Sequence, residues 1–365
     1  MSGQVDPAFW RGRRVFLTGH TGFKGAWLAL WLERLGARVT GYALPPEEGR
    51  PSLFEAAGIA GGIDSRFGDI RDLDALSAAM RAAEPDVVLH LAAQSLVRRS
   101  YAEPLATYAT NVMGTAHLLE ACRSLPSVRA VVVVTSDKCY ENREWPHAYR
   151  EPDPMGGHDP YSSSKGCAEL VTAAYRASFF GRPDAPAIAS ARAGNVIGGG
   201  DWAEDRLVPD LIRGLSRNEP VPIRSPGATR PWQHVLEPLR GYLVLAERLV
   251  SDPRGSAEGW NFGPNDRSVV TVRVLAEAVA REWGGGGGDL RFGTGGDALH
   301  EATFLGLDWG KARARLGWEP ILGLEEAVRL TVQWYRSAVS ADSVSAKSGS
   351  LRDLCVTQID AYTAR

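Results

Sequence analysis

Residues 13–25, RRVFLTGHTGFKG, limit what this chain can fold into more than any other stretch. The first six form a short apolar run that reads as a buried strand. Gly19, Gly22 and Gly25 follow at equal spacing, and Ala26, Leu28, Leu30, Trp31, Leu32 and Leu35 then lay out the broad apolar face of a helix. A strand that passes through such a turn straight into a helix gathers free N–H groups and the positive end of the helix dipole at one point. Glycines there let the backbone approach a pyrophosphate closely. Thr21 and Phe23 belong to the same turn, and His20 and Lys24 are expected to add a hydrogen bond or positive charge toward the anion.

The unit then repeats. Strands are expected at 38–43, just before GDIRD, and at 86–91, 129–135 and 187–192, with helices at 73–83, at 105–124 and from about Tyr161. Strand and helix alternate through residue 193, which specifies the α/β class and a doubly wound parallel sheet, Rossmann-type. From Gly194 the texture changes to loops rich in Gly, Pro, Trp and Arg, such as GNVIGGGDW and PVPIRSPGATRPWQHV, between helices near 207–215, 237–250, 272–283, 309–316 and 324–340. Loops of this kind on a rigid scaffold usually hold a substrate. The expected organisation is a dinucleotide-binding domain over 10–193, to which some later segments return, and a smaller mixed α/β substrate-binding region over 194–340. A linker and tail follow over 341–365. GGGGG at 284–288 and SADSVSAKSGS at 340–350 read as flexible connectors. Beyond the second, Leu351, Leu354, Val356 and Ile359 could dock a short segment.

Bulk properties exclude several classes. A net charge of −2 with no long block of one sign implies neither a nucleic-acid nor an anionic-membrane partner. The four cysteines lack metal-site spacing, so no metal is expected. MSGQVDPAFWRGRR has no apolar signal core, and no run of about 18 apolar residues occurs, so a soluble cytoplasmic protein is expected.

The chemistry centres on YSSSK, where Tyr161 and Lys165 stand four residues apart at the start of a helix, on one face. An ammonium there can hold a phenol near its deprotonated form, a base for a sugar or alcohol hydroxyl. Only five of the 41 basic residues are Lys, and a Tyr-x-x-x-Lys pair is expected by chance ~0.14 times in such a chain. Lys can give up its proton where Arg cannot. The ends of the other strands carry further candidates. Asp69 and Ile70 could line an adenine pocket, although Asp69 could equally cap a helix. Residues 42–44 offer neither an acid for a ribose nor an Arg for a 2′-phosphate. His90 reads as a packed core histidine. Asn111, inside a helix, needs hydrogen-bond partners, whether structural or as a proton relay.

Taken together, TGHTGFKG, GDIRD, DVVLHLAAQ, NVMGT, TSDK, YSSSK, RAGNVIGGGDW and NFGP resemble, in order, the extended short-chain dehydrogenase/reductase superfamily. GHTGFKG, SDKCYEN and TQIDAY resemble its nucleotide-sugar 4,6-dehydratases, most of all the branch acting on CDP-D-glucose. The resemblance implies a bound NAD and formation of a 4-keto-6-deoxy sugar, in deoxysugar and O-antigen synthesis, by a homo-oligomer (dimer or tetramer). It implies that Ser136, Tyr161 and Lys165 form the dehydrogenase triad, with Asp137 as acid and Lys138 as base for the elimination. Relatives acting on dTDP-glucose carry Asp-Glu where this chain has Asp-Lys. It also implies cofactor contacts from the glycine turn, Asp69, Ile70, Leu91, Ala92, Ala93 and Asn111. Substrate contacts are implied for Gln94, Ser95, Asn195, Arg206, Leu207, Val208, Arg230 and Asn265. Two other readings stand beside it. A 4-epimerase would share the triad but has no need of an eliminating pair, and a dinucleotide-sensing protein would have no need of Tyr161 and Lys165.

Overall fold

The computed structural model describes residues 3–182, 184–284, 289–293, 302–343 and 349–365. Seven parallel strands form the central sheet: β1 (Arg14–Thr18), β2 (Arg38–Ala43), β3 (Asp64–Phe67), β4 (Val87–His90), β5 (Ala130–Val134), β6 (Ala187–Arg192) and β7 (Gly259–Asn261). Their spatial order is β7-β6-β5-β4-β1-β2-β3. The order reverses between β1 and β4, and the carboxyl ends of those two strands therefore flank a crevice that no crossover covers. β7 comes from far along the chain and returns to the sheet edge beside β6.

β5 shows why the sheet must be covered on both faces. All five of its residues, AVVVV, are buried. Ala130, Val132 and Val134 join one hydrophobic core, while Val131 and Val133 join the other, as the two-residue period of a strand dictates. The first core lies under α1 (Phe23–Arg34), whose residues 25–32 are all buried. The second lies under α2 (Leu73–Ala83) and α3 (Gly114–Arg123), through Leu76, Met80, Leu118 and Leu119. The helix expected over 105–124 is interrupted: a π-helical turn spans Ala109–Met113 between Pro104–Tyr108 and α3. Such turns widen a helix by one residue and often mark functional sites. The long helix α4 (Pro160–Phe179) starts at an Asp159 cap that accepts the Ser162 N–H at 2.9 Å, with Pro160 in the first turn.

Beyond β6, short strand pairs (Val196–Ile197 with Gln233–His234, Thr229–Pro231 with Val269–Thr271, Val221–Ile223 with Leu290–Phe292) stand over the crevice with α5 (Leu207–Arg217). α6 (Leu236–Ser251) packs on β5 and β6, while α7 (Val272–Trp283) packs on α5. The stretch read as a linker over 340–350 is shorter than expected. α8 (Leu324–Ser343) continues past residue 340 and α9 (Gly349–Thr363) begins before 350, so only 344–348 lie outside the described residues. Of the glycine run, 285–288 likewise lie outside them. The docked face of α9 also differs. Leu351, Cys355, Ile359 and Tyr362 are buried, whereas Leu354 and Val356 are half-buried, because the turn-by-turn spacing selects the stripe that meets α1 and α8. Tyr362 packs edge-on against Trp31, with centroids 5.8 Å apart. Among the described residues no helix is long and apolar enough to cross a membrane.

Candidate active site

One cavity of about 570 Å³ opens at the carboxyl ends of β1, β4 and β5. The glycine turn forms one end. Gly19 has φ +78°, and a Cβ there would sit 2.7 Å from the Ala92 backbone nitrogen. A Cβ on Gly25 would lie 2.0 Å from the Gly19 carbonyl oxygen. Only glycine lets this turn fold back against both β4 and its own helix, leaving the first amides of α1 without intrahelical acceptors. Gly19, Thr21, Gly22, Phe23, Lys24, Gly25, Asp69, Ile70, Leu91, Ala92 and Ala93 all line the cavity. The backbone cradle and its free amides fit a dinucleotide pyrophosphate.

His20 does not join them. Its ring turns under the sheet, with Nε2 2.7 Å from Ser65 Oγ and the ring edge-on to Phe54. Gly41 leaves the space it fills, since a Cβ there would meet His20 Cγ at 2.5 Å. Burial lowers the imidazole to about 4, so it is neutral and brings no charge to the turn. Lys24 does face the cavity, donates to the Tyr242 hydroxyl at 2.9 Å, and is lowered to about 7 by burial and by the charges of Lys165 and Arg206. Asp69 is engaged locally: the bonded Arg71 guanidinium holds its carboxylate below the usual range.

The opposite wall carries the reactive groups. β5 ends in a single 3₁₀ turn, Asp137–Cys139, capped by Ser136. Ser136 Oγ donates to Asp137 Oδ1 at 2.9 Å and accepts from Lys138 N–H at 3.3 Å. Asn195 Nδ2 donates to Asp137 Oδ2 at 3.0 Å, from a left-handed backbone with φ +50°. Gly194 precedes it because any Cβ would lie 1.9 Å from Asp137 Cγ. Asp137 is 1% exposed. Tyr161 and Lys165 face the turn from the first two turns of α4, both buried and both lining the cavity with Ser136, Asp137 and Lys138. Burial pushes the Tyr161 phenol up to about 12, opposed in part by its hydrogen bond with Ser136. Lys165, lowered to about 8 by burial, donates to the Val134 carbonyl at 3.4 Å. The phenol is therefore not held near deprotonation by Lys165 alone, because the ammonium is turned toward the end of β5.

Arg206, Leu207, Val208, Arg230, Ser95 and Asn195 also line the cavity. Arg206 is fixed by Asp201 at 2.9 Å and donates to Ser95 Oγ at 2.9 Å. Gln94, Asn111 and Asn265 do not line it. Asn111 is a clip behind the wall: Nδ2 donates to the Gln94 carbonyl at 2.9 Å and to Ser164 Oγ at 2.8 Å, and Oδ1 accepts the Gln94 N–H at 2.8 Å. Gln94 itself turns back to Thr107 and Leu96. Asn265 leads into the 3₁₀ turn Asp266–Ser268 and accepts from Ser268 Oγ at 3.2 Å, away from the cavity. His90 is a core residue, buried between Thr18 and Thr115. Arg98 and Arg224, unmarked in the sequence, join Arg206 and Arg230 in the lining. With 36 Arg among 41 basic residues, an Arg carries no signal in this chain. Arg206 is held by Asp201, and Arg98 and Arg224 share Asp205, so the cluster presents oriented guanidiniums to a diphosphate in company with two carboxylates.

Residues 15–261 match the model of the NAD dependent epimerase/dehydratase family. The chain is 50% identical over 344 residues to CDP-glucose 4,6-dehydratase of Salmonella typhimurium, covering 93% of this chain and 95% of that one. Among solved structures, UDP-glucose 4-epimerase of Thermotoga maritima superposes with a TM-score of 0.77 at 22% identity, over 89% of this chain and 99% of that one. dTDP-glucose 4,6-dehydratase of Bacillus anthracis, in complex with NAD, gives 0.74 at 22%, over 89% and 97%. At that identity the two structures speak to the fold alone.

Proposed function

The chain belongs to the NAD dependent epimerase/dehydratase family, and from that footing we propose that it converts CDP-D-glucose to CDP-4-keto-6-deoxy-D-glucose and water, with NAD as cofactor. The observation that carries this reading is the placement of Asp137 and Lys138 on the same cavity wall as Ser136, Tyr161 and Lys165. An acid and a base beside an oxidising triad serve an elimination, for which a 4-epimerase has no use. The similarity to a curated CDP-glucose enzyme over nearly the full length of both chains supports the choice of nucleotide.

NAD held in the glycine cradle would supply the hydride acceptor for sugar carbon 4 and the hydride donor for carbon 6. The chain's own groups do the rest. Tyr161 takes the proton of the carbon-4 hydroxyl, and Ser136 donates a hydrogen bond to the carbonyl oxygen that forms. That carbonyl acidifies the hydrogen on carbon 5, which Lys138 removes. Asp137 protonates the departing oxygen on carbon 6. Arg98, Arg206, Arg224 and Arg230 hold the diphosphate. As carbon 6 is reduced, Lys138 returns the proton to carbon 5. The proton gained by Tyr161 makes good, through solvent, the one Asp137 gave up, so the reaction ends with no net redox.

Four free cysteines, three of them buried, favour the reducing cytoplasm as its setting. A homo-oligomer, dimer or tetramer, belongs to the same reading and is checked by light scattering. The deciding experiment incubates the protein and NAD with CDP-D-glucose, and in parallel with dTDP-glucose and GDP-mannose, followed by mass spectrometry. Loss of one water from the CDP-sugar alone is expected. A product of unchanged mass, inverted at carbon 4, would make it an epimerase.

A further inference from the structure

Behind the catalytic wall, Glu169 and Arg192 form an ion pair of 2.8 Å with both residues about 5% exposed. Every lone-pair direction of the carboxylate is used. Oε1 accepts from Thr135 Oγ1 at 2.5 Å and Arg192 Nε at 3.0 Å, and Oε2 accepts from Ser190 Oγ at 2.6 Å and Arg192 Nη2 at 2.8 Å. The remaining guanidinium nitrogen donates to the Tyr140 hydroxyl at 2.7 Å and to the Glu151 carbonyl at 3.2 Å. Tyr140 in turn donates to Asn261 Oδ1 on β7 at 2.7 Å. A buried ion pair is a poor source of stability, because desolvation of both charges offsets their attraction. Its use is better sought in what it holds.

What it holds is the reactive turn, at both ends. Thr135 immediately precedes Ser136, and Tyr140 follows Cys139, so the tethers bracket Ser136, Asp137 and Lys138. Within the turn the backbone N–H bonds are long, Cys139 N–H to the Ser136 carbonyl at 3.2 Å and Lys138 N–H to Ser136 Oγ at 3.3 Å. From outside it the Cys139 carbonyl accepts the Gly156 N–H and Asp137 accepts from Asn195, so the tethers act at the two ends these bonds leave. Glu169 stands one helical turn beyond Lys165 and two beyond Tyr161, on the same face of α4. Arg192 ends β6, and the loop it starts carries Asn195, which bonds Asp137. A single pair thus touches the turn, the helix of the triad and the strand that places the acid.

We infer that Glu169 and Arg192 are positioning residues that set the register of the Ser136–Asp137–Lys138 turn against Tyr161 and Lys165, through Thr135 and Tyr140. The catalytic part of this inference rests on the dehydratase reading above; the geometric part does not. Because breaking the pair itself leaves a buried charge and could unfold the chain, the test removes only the tethers: Thr135→Val and Tyr140→Phe, with Thr135→Ser as the conservative control. Hydrogen exchange followed by mass spectrometry should show faster exchange in peptides covering 136–140 in the first two variants, with peptides from β1 and β4 unchanged. With CDP-D-glucose, kcat should fall about ten- to a hundred-fold, as displacement by an ångström can cause. KM and NAD affinity should stay within about two-fold, and Thr135→Ser should restore both readouts. Wild-type protein that dehydrates no nucleotide sugar would sink the functional reading and leave exchange to decide the inference. Unchanged exchange in 136–140 overturns it, as does wild-type kcat in both tether variants of an active enzyme.

Discussion

At the scale of single residues, two lysines that line the cavity give a pH signature whose sign is fixed. Lys24 and Lys165 sit at about 7 and about 8 in the folded chain, against 10.5 for a free lysine, in both cases chiefly through burial. Between those values and 10.5 the unfolded chain holds more protons, so stability without ligands rises with pH across that window. Lys24→Met removes one of the two groups. Relative to wild type it should gain most below about pH 7 and lose that advantage as pH climbs toward 10.5, as read from urea midpoints at several pH values. An advantage that grows with pH would contradict the burial of Lys24. The reactive residues separate by half-reaction. Tyr161→Phe should keep folding and NAD binding but lower turnover about 10²–10⁴-fold by blocking the first oxidation. Asp137→Asn and Lys138→Met leave that oxidation possible, so each should reduce bound NAD and stall at a 4-keto sugar that keeps its 6-hydroxyl. Lys138→Met should also lose exchange of the carbon-5 hydrogen with solvent deuterium; retained exchange would assign the base elsewhere.

At the scale of elements, the π turn at Ala109–Met113 makes the difference between a relay and a clip. It directs Asn111 at the backbone of Gln94 and the hydroxyl of Ser164, where both amide donors and the carbonyl oxygen are engaged. Asn111→Ala should therefore cost on the order of 2 kcal/mol, the price of buried groups left unpaired, while the pH profile of kcat keeps its shape. A changed profile would mean that Asn111 moves protons. The interruption was not visible in the sequence, since the apolar pattern runs through it and an added residue per turn leaves no local mark. The α4 start was visible, because Asp159, Pro160 and the Tyr161–Lys165 spacing all act within one helical turn.

At the scale of the whole molecule, the C-terminal helix closes a second buried network. Tyr362 donates to Glu237 at 2.7 Å and accepts from Arg240 at 3.0 Å, while Glu237 also accepts the amides of Ile321 and Leu322 and Arg240 donates to the Gly3 carbonyl. One residue of α9 thereby ties α6, the segment before α8 and the N-terminus together. Removing 349–365 should lower the melting temperature and bare the apolar face of α1. Tyr362→Phe alone should cost about 1–3 kcal/mol. Calorimetry that finds the truncated chain as stable as the full one would refute a structural role for α9.

The sequence by itself determined the parallel sheet, the glycine cradle and the Tyr161–Lys165 pair on one helix face. Each rests on local physics: glycine where a Cβ cannot fit, a two-residue strand period, a four-residue helical step. That Ser136, Asp137 and Lys138 meet this pair was implied only by the family resemblance, and the packing of the turn after β5 against α4 brings them into one cavity. Tertiary structure alone decided where the remaining polar groups face. His20 turned under the sheet because Gly41, on the neighbouring strand, left room for it. Gln94 and Asn111 paired with each other, Asn195 reached Asp137, and Arg98 and Arg224 entered the cavity. Glu169 and Arg192 lie 23 residues apart yet meet in a buried, two-bond ion pair. A side chain's partner depends on which elements pack across from it, and that is a property of the assembled layers rather than of any stretch of chain.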